Sequence, residues 1–409
     1  MTLFGNGRIA LAGDAATAGK LGWGRRKRSA SDPVAVLTPR QGNPAREPWV
    51  CPPWLDPRAG VASLWRRGRG GWTYLSEPPG VLRELSALAA PPPAAWRIGV
   101  IGLGRVGGVA AATVAAMTVR QSRVRELLIH DVDAANLERW RLELGSVGLW
   151  RGREALPAVR VAGAEELFRE CDAVLFVATQ AVPPLGVQGD VRLVQLAPNR
   201  AILRTYLDHA AAANFAGLLL VVSDPVDWLA QAAFVDSNTS PGGAFSGAGL
   251  PPERIAGLGL GVMWARALAA AREAGSEARV RASGGAYGPH SVDVLAFDDL
   301  RRPDSELSAC MTEAARRCNY RVRSLGFLPY VGPGVSSVAL TLPRLLAGRQ
   351  VAAAALVDGV YLGCPCRLEW GVYPAALRLG REVREAVAGL HRRLQEQAPE
   401  LGLWPPALR

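Results

Sequence analysis

Three glycines, Gly102, Gly104 and Gly107, stand in GxGxxG order at the end of the apolar run WRIGVIG. An acidic residue, Asp131, closes the next apolar run, RELLIHD. Few patterns limit a chain so severely. The first glycine allows a tight turn from strand to helix, the second lets a phosphate approach the main chain, and the third lets the helix pack close on the strand. The helix that follows, GVAAATVAAMTV, presents unpaired N–H groups and a positive dipole end to the same point. A carboxylate at the tip of the second strand can accept both hydroxyls of a ribose and disfavours a ribose carrying an extra phosphate. Strand, glycine turn, helix, strand and Asp131 in that order predict a dinucleotide-binding βαβ unit, with NAD as the cofactor.

The alternation continues beyond this unit. VRVAG, AVLFVAT and GLLLVVSD read as short buried strands separated by helices, the longest of which runs from about Arg192 to Phe215. Such spacing predicts a Rossmann-type, doubly wound parallel sheet. After about Pro251 the helices lengthen and strands such as VDVLAF and VYLGCPCRL intervene. The expected fold is therefore α/β: a dinucleotide-binding domain over residues 96–240, then an α+β substrate domain over residues 241–409.

Residues 1–95 read differently, as a partly disordered extension rich in Trp, Pro and Arg. They hold thirteen Lys and Arg against six Asp and Glu, so +7 of the chain's +11 lies ahead of the glycine motif. One short helix, GVLRELSALAA, is expected before the breaker PPP at Pro91–Pro93. Trp23, Trp49, Trp54, Trp65, Trp72 and Trp96 are interleaved with arginines here. Stacking on nucleic acid is one use for that pattern, but docking of the arm on the main body or on a second subunit is the expected one.

Other classes are excluded more simply. The longest apolar runs, such as FAGLLLVV, have the length of buried strands and fall short of a bilayer span. The opening MTLFGNGRIALAGD lacks the order of a secretory signal. The six cysteines are scattered without the density of a disulfide scaffold or the spacing of a zinc site, so reduced thiols, a cytoplasmic location and no metal are expected.

From about Arg97 to Gln397 the chain resembles the NAD-dependent lactate/malate dehydrogenase family through several ordered motifs. The glycine turn and Asp131 match its cofactor site. GDVRLVQLAPN, residues 189–199, is similar to the segment whose arginine polarises the substrate carbonyl, which implies that role for Arg192. VVSDPVD, residues 221–227, resembles a strand end that usually reads NPVD. LPPERIAGLGLGVMWAR, residues 250–266, resembles the helix that ends on the substrate-carboxylate arginine, here Arg266. GAYGPHS, residues 285–291, resembles the segment bearing the catalytic histidine, and VSSVALTL places Ser336 where a substrate-contacting threonine is common. The resemblance implies hydride transfer between NAD and the CH–OH carbon of a 2-hydroxy acid, and a homo-oligomer. The short apolar runs predict no membrane partner, and the placing of most of the positive charge ahead of the glycine motif argues against nucleic acid as a partner.

The chain departs from the family where the proton is handled. The carboxylate that orients the histidine is expected three residues before Arg266, and Met263 stands there. In GAYGPHS the histidine position falls on Tyr287 or Gly288, with His290 two or three residues on. The strand-end asparagine is Asp224. Three readings follow: His290 takes the acid/base role with help from Asp224; Tyr287 or Asp224 serves an altered substrate; or hydride chemistry is lost and a catalytically silent NAD-binding scaffold remains. The segment Ala173–Val191 contains no Lys or Arg, which favours a monocarboxylate over malate.

Overall fold

The structure is a computed structural model. It describes residues 3–5, 10–12, 24–25, 34–37, 72–74, 92–119, 123–148, 156–180, 182–184, 192–240, 242–243, 249–357, 359–368, 371–375 and 377–403. Within the N-terminal extension five short strands are described: β1 (Leu3–Gly5), β2 (Ala10–Ala12), β3 (Gly24–Arg25), β4 (Val34–Leu37) and β5 (Trp72–Tyr74). They pair in the order β3-β1-β2-β4-β5. The expected helix over GVLRELSALAA, and Trp23, Trp49, Trp54 and Trp65, lie outside the described residues. Trp96 belongs instead to the core, 2% exposed at the head of β6.

The main sheet has nine strands. β6 (Trp96–Ile101), β7 (Val124–His130), β8 (Val159–Val161), β9 (Ala173–Phe176), β10 (Leu218–Val221) and β11 (Ile255–Gly257) lie side by side as β8-β7-β6-β9-β10-β11, every pair parallel. In order of sequence this is 3-2-1-4-5-6, the Rossmann arrangement of a doubly wound sheet. The central strands are apolar on both faces because helices cover both: WRIGVI, AVLF and LLLV are buried almost throughout. Each large apolar side chain so buried contributes about 1.5–3 kcal/mol.

The sheet does not stop at the expected domain boundary near residue 240. β14 (Val351–Val357) joins β11 antiparallel, and β15 (Val360–Leu368) and β16 (Val372–Pro374) extend the same edge. β11 would otherwise leave an edge of unpaired N–H and C=O groups in the interior, which costs more than the antiparallel continuation. The two-stranded ribbon β12 (Gly285–Tyr287) and β13 (Leu295–Phe297) stands apart from it.

The helices that matter for the site begin at the carboxyl ends of the parallel strands. They are α1 (Arg105–Val119), α2 (Ala134–Gly145), α3 (Ala164–Glu170), α4 (Leu196–Ala212) and α5 (Val226–Ser237). The α2 start is sharply defined: the Asp133 carboxylate caps it, accepting from the Ala135 and Asn136 N–H groups at 2.9 and 3.1 Å. In the second half, α6 (Leu260–Glu273), α7 (Glu277–Ser283) and α8 (Ser305–Ser324) enclose a separate apolar cluster around Met263, Val280 and Met311. Among the described residues no helix is long and apolar enough to cross a membrane.

Candidate active site

A doubly wound sheet opens a crevice where strand order reverses, outside the carboxyl ends of the first and fourth strands. Here those strands are β6 and β9, and the glycine turn closes β6. Gly102 has φ +89°, a conformation that L side chains rarely adopt, and a Cβ on it would stand 2.6 Å from the main chain of Ala178, just past β9. A Cβ on Gly107 would collide with the Gly102 carbonyl oxygen, so the first turn of α1 can lie this close to the strand only with glycine there. At Gly104 a Cβ would meet open space. That is the geometry of a main-chain cradle facing outward for a phosphate, with the α1 N-terminus behind it.

Asp131 stands one residue beyond β7, beside this turn. Its Oδ2 accepts the Leu103 N–H at 2.7 Å and an N–H of the Asn136 side chain at 3.1 Å, while Oδ1 accepts the Asp133 N–H at 2.9 Å. The Trp140 indole N–H donates to the Leu103 carbonyl at 2.8 Å. The carboxylate is therefore held rigidly at the strand tip with lone pairs to spare. A dinucleotide's pyrophosphate at Gly104 and its ribose at Asp131 fit this donor and acceptor set. An additional ribose phosphate would meet the fixed negative charge.

Across the crevice the fold brings together four residues that are far apart in sequence. Arg192, preceding α4, is 2% exposed. Asp224 follows β10 and precedes Pro225 across a cis peptide bond. His290 follows β12 and is 6% exposed. Asp224 Oδ1 lies 4.0 Å from Arg192 Nε and 4.0 Å from His290 Nε2. Arg266, on α6, is close enough to act electrostatically on His290, and it also feels the charges of Arg192 and Asp224. Burial, and then the positive charges of Arg192 and Arg266, hold the imidazole well below its ordinary pKa. Met263, fully buried, stands in place of an acidic partner, and its sulfur accepts an N–H of Arg266 at 3.5 Å.

His290 is positioned by groups that sequence motifs do not display. Its Nδ1 bonds the Gly259 carbonyl at 2.8 Å, and its main-chain N–H donates to Asp227 Oδ2 at 2.7 Å. Asn199, fully buried, ties the neighbouring loops together: Oδ1 accepts from Thr179 Oγ1 and the Gln180 N–H, and Nδ2 donates to the Asp224 carbonyl at 2.7 Å. Asn199 and Asp227 both stand inside motifs read from the sequence, GDVRLVQLAPN and VVSDPVD. The Gly259 carbonyl carries no such signal, since any residue has one.

Two other candidates remain, Tyr287 and Ser336. Tyr287 is a core residue with no exposure. Burial first, and Cys364 and Cys366 beside it, push its phenol far above the ordinary range. It has no part in the crevice, which removes it as an acid/base group. Ser336 lines the cavity that also takes in Gly104 and Arg266, and its carbonyl accepts the Thr341 hydroxyl at 2.7 Å. Its neighbour Ser337 is the one that approaches the histidine's support, donating to the Gly259 carbonyl at 3.4 Å and accepting from the Val262 N–H at 3.3 Å.

Asp227 also carries a stability prediction. Burial raises its pKa from 3.8 to about 7, with Asp224 adding to the rise and the His290 N–H opposing it. A carboxyl whose folded pKa is raised contributes stability fully present below its unfolded pKa and lost as pH rises through the folded value. Asp227→Asn keeps an acceptor for the His290 N–H but cannot ionise. In thermal unfolding followed at a series of pH values, the variant should gain on the wild type by about 1–3 kcal/mol between about pH 4 and pH 8. A constant difference across that window would show that Asp227 does not titrate there.

No family model matches the chain. It is 32% identical over 168 residues to L-lactate dehydrogenase 1 of Staphylococcus aureus (strain MRSA252), covering 40% of this chain and 44% of that protein. It is 31% identical over 165 residues to the L-lactate dehydrogenase of Shouchella clausii (strain KSM-K16), covering 40% and 43%. The chain thus aligns with less than half the length of these curated relatives. Among solved structures, MGS-M5, a lactate dehydrogenase enzyme from a Medee basin deep-sea metagenome library, superposes with a TM-score of 0.59 at 18% identity, covering 76% of this chain and 100% of that one. The malate dehydrogenase of Archaeoglobus fulgidus, solved in complex with NADH, superposes with a TM-score of 0.59 at 19% identity, covering 75% and 99%. The chain has the fold of these enzymes, and over about 40% of its length it is similar in sequence to L-lactate dehydrogenases.

Proposed function

We propose that this relative of the lactate and malate dehydrogenases is an NAD-dependent oxidoreductase that interconverts a 2-hydroxy acid and the corresponding 2-oxo acid. The observation that carries the reading is the convergence of Arg192, Asp224, His290 and Arg266 on one side of the crevice whose other side is the glycine turn. When bound, the nicotinamide supplies or accepts the hydride at C2 of the substrate. Arg266 clamps the substrate carboxylate through its planar fork. Arg192 faces the C2 oxygen and stabilises negative charge that develops on it, in a site already shielded from water. His290 moves the proton of that oxygen at Nε2, the ring nitrogen left over once Nδ1 is bound to Gly259. The fixed charges of Arg192, Arg266 and Asp224 sum to +1 around a neutral imidazole, which complements a monoanion. With no Lys or Arg in Ala173–Val191, a monocarboxylate suits the site better than malate.

The test has two stages. NAD and NADH binding is followed by nucleotide fluorescence, then turnover is assayed with a panel of 2-hydroxy and 2-oxo acids of graded size, with malate and oxaloacetate included. Binding of NAD over NADP, with turnover of monocarboxylates lost by at least about a hundredfold in Arg266→Lys, is the expected result. Tight binding without turnover of any acid would leave the catalytically silent scaffold as the function.

A further inference from the structure

A dinucleotide brings negative charge to a point where the protein has already placed some of its own. On the reading that the crevice holds NAD, which the inference below rests on, the pyrophosphate fits at Gly104, beside the fixed carboxylate of Asp131. The free N–H groups at the start of α1 offer about half an elementary charge in return. The segment Ala173–Val191, which leaves β9 beside the glycine turn, contains no Lys or Arg. Arg192 and Arg266 belong to the other side of the crevice, with Asp224 and His290. A full positive charge for the pyrophosphate has to come from the cofactor side itself.

Arg105 is the first residue of α1, immediately after Gly104. A side chain at that position leans toward the N-terminus of its helix, where the free N–H groups gather. Arg105 is exposed, and among the described residues no ion pair or side-chain hydrogen bond engages its guanidinium. What it meets is a ring: its Cζ lies 5.8 Å from the centre of Tyr330, near the outer limit of a cation–π contact. Gly104, Arg105 and Tyr330 line one cavity of about 1280 Å³, so the guanidinium has open space beside both the ring and the cradle. Arg139, on α2 and lining the same cavity, is committed elsewhere: it bonds Glu143 at 2.8 Å and lies 5.0 Å over Trp140. Arg321 lines it from α8, in the half of the chain that carries the substrate groups.

We infer that Arg105 is a cofactor-binding residue that exchanges partners: it rests on the Tyr330 ring in the empty protein and pairs with the pyrophosphate when the dinucleotide binds. An exposed cation–π contact shifts an equilibrium by about two- to fivefold, whereas a charge-assisted pair with a phosphate is worth about tenfold or more. The exchange therefore runs toward the phosphate. Tyr330 keeps a long, flexible side chain ordered near the cradle, and binding carries the small penalty of giving up that contact. Arg105 thereby tells a dinucleotide from a nucleoside, since a ligand without phosphate gains nothing from it.

Calorimetric titration of the full chain with NAD, ADP-ribose and adenosine tests this. Arg105→Gln should weaken NAD and ADP-ribose by about ten- to thirtyfold, leave adenosine within about twofold, and flatten the salt dependence of NAD affinity. Arg105→Lys, which keeps the charge without the planar fork, should fall between the two. Tyr330→Leu should tighten NAD binding by about two- to fivefold in the wild-type background and change nothing beside Arg105→Gln, because the ring competes only for Arg105. That cycle separates partner exchange from a purely structural clasp, whose loss would persist in both backgrounds. NAD affinity within about threefold of wild type in Arg105→Gln, equal weakening of adenosine and NAD, or weaker NAD binding in Tyr330→Leu overturns the inference while the dehydrogenase reading stands. A wild-type chain that binds neither NAD nor ADP-ribose removes the cofactor site, and the dehydrogenase reading and the role of Arg105 with it.

Discussion

His290→Gln should lower kcat/KM for the 2-hydroxy acid by about a hundred- to ten-thousandfold and leave NAD binding within about twofold. The physical basis is the geometry of one ring. Only Nε2 faces the crevice, because Nδ1 is bound to the Gly259 carbonyl and the main chain is pinned by Asp227. Glutamine can fill the volume and can still reach the Gly259 carbonyl, yet it cannot take a proton near neutral pH. Loss of activity without loss of fold or cofactor affinity would therefore isolate proton transfer from binding. Steady-state kinetics alongside fluorescence titration measures both. If the variant turned over within about threefold of the wild type, His290 would be a structural residue, and the proton would have to reach solvent by way of Asp224.

Gly107→Val should abolish nucleotide binding and lower thermal stability by several kcal/mol. Even a Cβ at this position collides with the Gly102 carbonyl oxygen. The collision is with main chain on both sides, so no rotamer change relieves it, and either the turn or the first turn of α1 must move. Both movements disrupt the cradle at Gly104 and shift Leu103, whose N–H is held by Asp131 at 2.7 Å. The companion variant Gly104→Ala, which meets nothing within 4 Å, should fold like the wild type and weaken NAD binding alone. The pair separates the two uses of glycine in one motif, close packing at Gly107 and access to phosphate at Gly104. Equal loss of stability in the two variants would contradict this division. Calorimetry and NAD titration of the two proteins decide it.

The cofactor half of the molecule was legible in the sequence because its information is local. A glycine turn, a helix and a strand-end carboxylate lie within thirty residues of Gly102, and their spacing follows from strand and helix geometry alone. The doubly wound class of the sheet followed as well, since parallel strands joined by helices have few ways to wind. Residues 1–95 were less legible, with no periodic pattern to anchor them. The continuation of the sheet through β14, β15 and β16 was also hidden: a buried strand reads the same whether its neighbour runs parallel or antiparallel.

The substrate half was legible as a set of parts without their assembly. Arg192, Asp224, Arg266 and His290 were all named by motif, but the motifs left Tyr287 and Asp224 open as alternatives to His290 for the proton. Tertiary structure separated them by burying Tyr287 against Cys364 and Cys366 and by turning His290 toward Asp224. The sequence by itself determined the α/β architecture, the glycine turn and the residue types on each side of the crevice, because those depend on periodicity and short-range spacing. Only the tertiary structure decided which nitrogen of His290 is available and which carboxylate answers it. The partner of Nδ1 is a main-chain carbonyl thirty-one residues away, and a backbone oxygen leaves no mark in the sequence until folding brings it to the ring.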